Sequence, residues 1–144
     1  MRPLLSDCQK FAELVEKHFG FLHEHGFKRT LDYEAASPTS CSVMFLGKHV
    51  AIEIYLDIRD NYVGVTVIKV KDGMPKRNLE GGFSADLGSY LRRLGHYQKT
   101  PRRHLPSPIE AALASWADHL RLNGKKILAD LPDSLPNKSD NISM

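Results

Sequence analysis

Cysteine is scarce in this chain: Cys8 and Cys41 are the only two in 144 residues. Two thiols make no disulfide framework and cannot alone supply a four-ligand zinc site. Long apolar runs are missing as well. No stretch approaches the roughly 18 apolar residues that a membrane-spanning helix needs. The opening Met1-Arg2-Pro3-Leu4-Leu5-Ser6-Asp7 has no apolar stretch of secretory-signal length, so cytoplasmic residence is expected. Gly20 and Gly81-Gly82 match no phosphate-binding fingerprint, and no serine sits in a glycine-framed nucleophile elbow. Seven histidines are present, but their spacing is wrong for a metal. His23 and His25 would project about 200° apart on a helix. His18 and His25 share a face that is apolar, and no pair four residues apart has glutamate beside its first member. His104 and His119 have no acidic or sulfur ligand at useful spacing. No metal, no cofactor and no catalytic residue is therefore expected, and enzymatic activity is unsupported.

What remains is ordinary globular material. Hydrophobic residues make up 42% and charged residues 26% of the chain, enough for one domain with its own core. A first helix is expected from a Ser6 cap, with Phe11, Leu14, Val15, His18, Phe19 and Leu22 on one face. Gly26 should stop it, Phe27 should pack back on Leu22, and Gly20 invites a break. Leu31 and Tyr33 alternate with polar residues as a short strand. A two-residue turn at Gly47-Lys48 would pair Phe45 with Val50 and Val43 with Ile52. A second at Asp60-Asn61 would pair Ile58 with Val63, Leu56 with Val65 and Ile54 with Val67. Both turns send the same alternate residues, Val50 to Ile58, toward one core, with Cys41 inward as a small apolar residue.

After a loop at Lys71-Asp72-Gly73-Met74-Pro75, a second helix is expected from a Ser84 cap, burying Leu87, Tyr90, Leu91 and Leu94. A third starts at Ser107-Pro108 with Glu110 completing a capping box. It buries Ile109, Ala112, Leu113, Trp116, Ala117 and Leu120. The spacing resumes after Gly124 with Ile127, Leu128 and Leu131, as one long helix or as two joined at the glycine. The expected fold is α+β: an N-terminal helix, a four-stranded antiparallel meander, and two or three C-terminal helices on one sheet face. Residues 1–132 form the single domain and 133–144 a mobile tail.

The outward face of the sheet carries Glu53, Tyr55, Asp57 and Arg59 beside Tyr62, Thr66, Ile68 and Val70. So many large apolar groups are unusual on a solvated face. Either a loop or helix covers the Ile68–Val70 end, or the face binds a partner. Glu53 and Asp57 could in principle share acid–base work, but without a pocket a solvated strand face is the better account of them.

Charge is unevenly spread. Residues 1–60 hold seven basic and nine acidic side chains, whereas 69–104 hold nine basic and three acidic. The densest portion contains Arg92, Arg93, Lys99, Arg102 and Arg103, with His96, Tyr97 and His104 between them. Positive charge at a helix C-terminus is favoured by the dipole and accounts for Arg92 and Arg93. The later arginines instead suit phosphate or carboxylate recognition.

The order helix, antiparallel meander, helices, together with Trp116-Ala117-Asp118-His119-Leu120 and Gly124-Lys125-Lys126-Ile127-Leu128-Ala129-Asp130, resembles small uncharacterised bacterial proteins. Some of these are immunity proteins encoded beside secreted toxins. The resemblance implies a binding module. The functional expectation is thus a cytoplasmic protein-binding module, immunity-like, using Glu53, Tyr55, Asp57, Tyr62 and Ile68. The alternative is a nucleic-acid or polyanion binder using Arg92, Arg93, Lys99, Arg102 and Arg103 within 92–104. No membrane contact is expected, and a homodimer through the open sheet face is compatible with the pattern.

Overall fold

A computed structural model describes residues 4–30, 40–76, 84–94 and 108–130. The chain is α+β with an antiparallel sheet, as the periodicity indicates, but the sheet holds six strands rather than four. The elements are α1 (Leu4–Phe19), a 3-10 turn (Gly20–His25), β1 (Lys28–Arg29), β2 (Ser40–Leu46), β3 (Val50–Asp57), β4 (Tyr62–Lys71), β5 (Met74–Lys76) and β6 (Ser84–Asp86), then α2 (Leu87–Leu94), α3 (Pro108–Asn123) and α4 (Lys125–Leu128). The expected strand at Leu31–Tyr33 and the tail 133–144 lie outside the described residues.

Strand order is β1-β2-β3-β4-β5, with β6 also paired to β4. β6 covers Thr66–Ile68 and β5 covers Lys69–Lys71, so together they line one edge of the long β4. The loop expected at 71–75 is in fact a hairpin. Asp72 and Gly73 both take positive φ, 57° and 75°, as a two-residue turn that closes Lys71 on Met74.

Both expected registers are corrected by two residues. Phe45 pairs with Ile52 rather than Val50, and Val43 with Ile54. Gly47 N–H donates to Val50 O at 2.8 Å, so Lys48-His49 forms the tip of that turn. Likewise Leu56 pairs with Val63 and Ile54 with Val65, leaving a longer loop over 58–61. Asp57 and Asn61 explain the difference. The Asp57 carboxylate accepts the Asp60 N–H at 3.2 Å, and Asn61 adopts φ 54°, a conformation asparagine tolerates. A shift of two preserves which face each side chain takes. Val43, Phe45, Val50, Ile52, Ile54, Leu56, Val63, Val65 and Val67 therefore still point into one core.

The helices cover that inner face. α1 contributes Cys8, Phe11, Ala12, Val15 and Phe19, α2 contributes Leu87, Tyr90 and Leu91, and α3 contributes Leu113, Ala117 and Leu120. α1 gives way to the 3-10 turn at Gly20, the expected weak point. Gly26 at φ 89° stops it, its N–H on His23 O and that of Phe27 on Leu22 O, which is the hydrogen-bond pattern of a Schellman ending. Ser84 is not the cap of α2: it lies in β6, and Asp86 accepts the Ser89 N–H at 3.1 Å instead. The last helical stretch is two helices, broken at Gly124.

Cys41 lies in the core as expected, but neither it nor Cys8 is a free thiol. They form a disulfide, 33 residues apart in sequence with Cα atoms 5.4 Å apart, inside the core between α1 and β2. Among the described residues no helix is long and apolar enough to cross a membrane.

Candidate functional site

The outer face of the sheet follows from strand alternation, and the registers arrange it in rows. Ser40, Asp57 and Tyr62 form one row, and Ser42, Tyr55 and Gly64 the next. Met44, Glu53, Thr66 and Asp86 follow, then Leu46, Ala51, Ile68 and Ser84. The face divides in two. Met44, Ala51, Ile68 and Val70 are buried as a second apolar cluster, with Leu46 packed against it. Ile68 is fully buried, so this end is covered, and Ile68 does not belong to the accessible portion. The other half stays partly open around two tyrosines.

Tyr62 is the principal exposed group there, 49% exposed. Its ring lies 6.0 Å from that of Tyr55 at an interplanar angle of 56°, within the range of favourable aromatic pairs. Tyr55 is held from below. It sits across from Gly64 and its ring occupies the space a side chain would fill there. A Cβ at Gly64 would fall 2.7 Å from Tyr55 Cε1 and closer still to Cζ and Oη. The glycine thus makes room for a ring laid flat on β4, and that ring in turn buttresses Tyr62. Burial raises the Tyr55 pKa, and Tyr62, Asp86 and Glu53 push it the same way. At neutral pH Tyr55 is a neutral hydrogen-bonding group.

Glu53 and Asp57 flank Tyr55 along β3, and Asp86 stands across Thr66 at the far side of the strip. Asp57 also shapes the 58–61 loop and Asp86 also caps α2, so these carboxylates are fixed by local backbone contacts. Arg59 belongs to the loop rather than to the strand face.

The structure therefore gathers Glu53, Tyr55, Asp57 and Tyr62 of the expected set and sets Ile68 apart. Of the expected anion-binding residues, Arg92 is exposed in α2 and Arg93 belongs to the same helix; Lys99, Arg102 and Arg103 lie outside the described residues. Among the described residues no three His, Cys, Asp or Glu side chains gather as a metal cage. An open groove of about 640 Å³ runs along α1, lined by Gln9, Ala12, Glu13, Glu16, Lys17 and Arg29. Its Glu16 carboxylate already contacts Arg29 at 3.2 Å and His23 at 2.8 Å.

Sequence reasoning missed three contacts that tie the helices to one another and to the sheet. Asp130 reaches back from the end of α4 to the β2–β3 turn. Its carboxylate accepts N–H groups of Lys48 at 2.6 Å, His49 at 2.9 Å and Val50 at 2.9 Å. Its φ of 55° is a conformation that aspartate adopts more readily than most residues. Trp116 donates its indole N–H to Val63 O at 3.1 Å, tying α3 to β4 directly beside Tyr62. Glu110 Oε2 accepts from Lys17 Nζ and His18 Nε2, both at 2.8 Å, and these contacts lower its pKa. A lone aspartate after a helix carries little signal by itself, and the others require knowing which helix packs where. No family model, curated protein or solved structure matches the chain.

Proposed function

We propose that this chain is a small protein-binding module whose partner docks on the open strip of the sheet around Tyr55 and Tyr62. The supporting observation is the half-exposed Tyr62 ring, presented on a sheet face whose apolar half is closed. Tyrosine is enriched where proteins meet, because a rigid ring offers large contact area and a polar tip. Here the ring is preorganised by Tyr55 on Gly64, which lowers the ordering entropy a partner must overcome. Glu53 and Asp57 supply the polar rim, and Ile68 stays outside the docking strip in the covered cluster.

The specific form suggested by the sequence resemblance is immunity-like: binding and neutralising a partner protein. A cytoplasmic setting would place the Cys8–Cys41 disulfide in a reducing thiol pool, where such bonds are rare. Counting free thiols in the native protein separates a cytoplasmic from an exported site of action.

The test is capture from native cell extract with nuclease present. Tyr62→Ala should abolish recovery of a protein partner while leaving the melting temperature within about 2 °C, because a half-exposed ring contributes little to folding. Tyr55→Ala is the poorer probe, since it also uncovers Gly64. Undiminished capture by Tyr62→Ala refutes the reading. The second reading, a polyanion binder, is favoured by the excess of basic over acidic residues in 69–104 and by the exposed Arg92. Recovery lost on nuclease treatment supports it.

A further inference from the structure

The open strip differs in charge from the chain that carries it. The whole protein has a formal net charge of +3. Yet Glu53, Asp57 and Asp86 are the charged residues at the described strand positions of this strip, with Arg92 of α2 near Asp86 at its edge. Carboxylates on this face attract a basic segment, which sets orientation as well as contact. The aromatic surface sharpens the chemistry. A Tyr62 ring face with carboxylates alongside suits a guanidinium, which can stack on the ring while its planar fork meets a carboxylate. An ammonium gains less from the same arrangement because it has no plane to stack.

Resting on the protein-binding reading, we infer that the docking partner presents an arginine-rich basic segment to the Tyr55–Tyr62 strip. The probe is a fluorescein-labelled peptide of alternating Arg and Gly, compared with Lys–Gly and Glu–Gly peptides of equal length by fluorescence anisotropy. The Arg peptide should bind several-fold tighter than the Lys peptide, and the Glu peptide should not bind. Its affinity should fall about tenfold between about 50 mM and about 300 mM salt, as surface ion pairs are screened. Tyr62→Ala and the pair Glu53→Gln with Asp57→Asn should each weaken it at least about fivefold. Asp57→Asn keeps the side-chain oxygen that accepts the Asp60 N–H, so the loop survives, and an unchanged melting curve checks this.

Equal binding of Arg and Lys peptides that ignores Tyr62→Ala means charge attraction only and overturns the inference. Absence of Arg-peptide binding, while Tyr62→Ala still abolishes capture of a natural protein, overturns the basic partner but leaves the interface standing. Loss of neither defeats both.

Discussion

Replacing Asp130 tests how the residue that follows α4 secures the β2–β3 turn, at the end of β3 away from Tyr62. One carboxylate accepts three consecutive N–H groups, from Lys48, His49 and Val50. A hydrogen bond to a charged acceptor contributes about 1.5–3 kcal/mol, but three sharing one carboxylate at a turn that water can reach are far from additive. Asp130→Ala should therefore destabilise by about 2–4 kcal/mol, including roughly 1 kcal/mol for placing alanine in a left-handed conformation. Asp130→Gly removes the carboxylate without that backbone strain, so it should be milder than alanine by about that 1 kcal/mol. Asp130→Asn retains one acceptor oxygen and the tolerated backbone, and should lose about half as much as alanine. Urea unfolding followed by Trp116 fluorescence supplies the free energies, and amide hydrogen exchange at 48–50 locates the effect. An alanine variant within about 0.5 kcal/mol of the parent, with those amides equally protected, would refute the latch.

Other perturbations follow from the same contacts. Gly64→Ala should displace the Tyr55 ring and cost about 1–3 kcal/mol, visible as shifted Tyr55 and Tyr62 ring resonances; unmoved rings contradict the close approach. Cys8→Ala with Cys41→Ala releases a cross-link spanning 33 residues. By loop entropy this should lower stability by about 3–4 kcal/mol, and reductant should destabilise the parent but not the variant. Burial lowers the His119 pKa below its ordinary 6.5, with Arg92 acting the same way and Asp118 opposing. The unfolded chain therefore takes up this proton first, and stability should fall as pH drops below about 6.5 toward the folded value. His119→Gln should flatten that acid slope in unfolding curves, and an unchanged slope would place its origin elsewhere.

The layout of the fold was readable because periodicity survives small errors of pairing. A two-residue register shift at both central hairpins left every core residue of β2, β3 and β4 on its expected face. The shifts themselves came from turn chemistry, the Asp57 side chain and the left-handed Asn61, which a two-residue turn template does not anticipate. Asp72-Gly73 is itself a legible hairpin signal, with both residues suited to positive φ. Ser84 and Asp86 both suit a helix cap, and only pairing with β4 decides between them. The site was half legible. Alternation placed Glu53, Tyr55, Asp57 and Tyr62 together, but it could not show that Ile68 lies under cover while Tyr62 does not. Tyr55 lying on Gly64, the Asp130 latch and the Cys8–Cys41 bond all join distant parts of the chain, and no local pattern encodes them.

Hydroxyl-radical footprinting of the captured complex addresses the central proposal most directly. Protein binding at the open strip predicts that side-chain oxidation of Tyr62, and to a lesser degree Tyr55, falls on complex formation. Met74, 58% exposed on β5, and Leu122, 53% exposed on α3, should stay as reactive as in the free protein. Protection at Met74 or Leu122 with Tyr62 unchanged would contradict it.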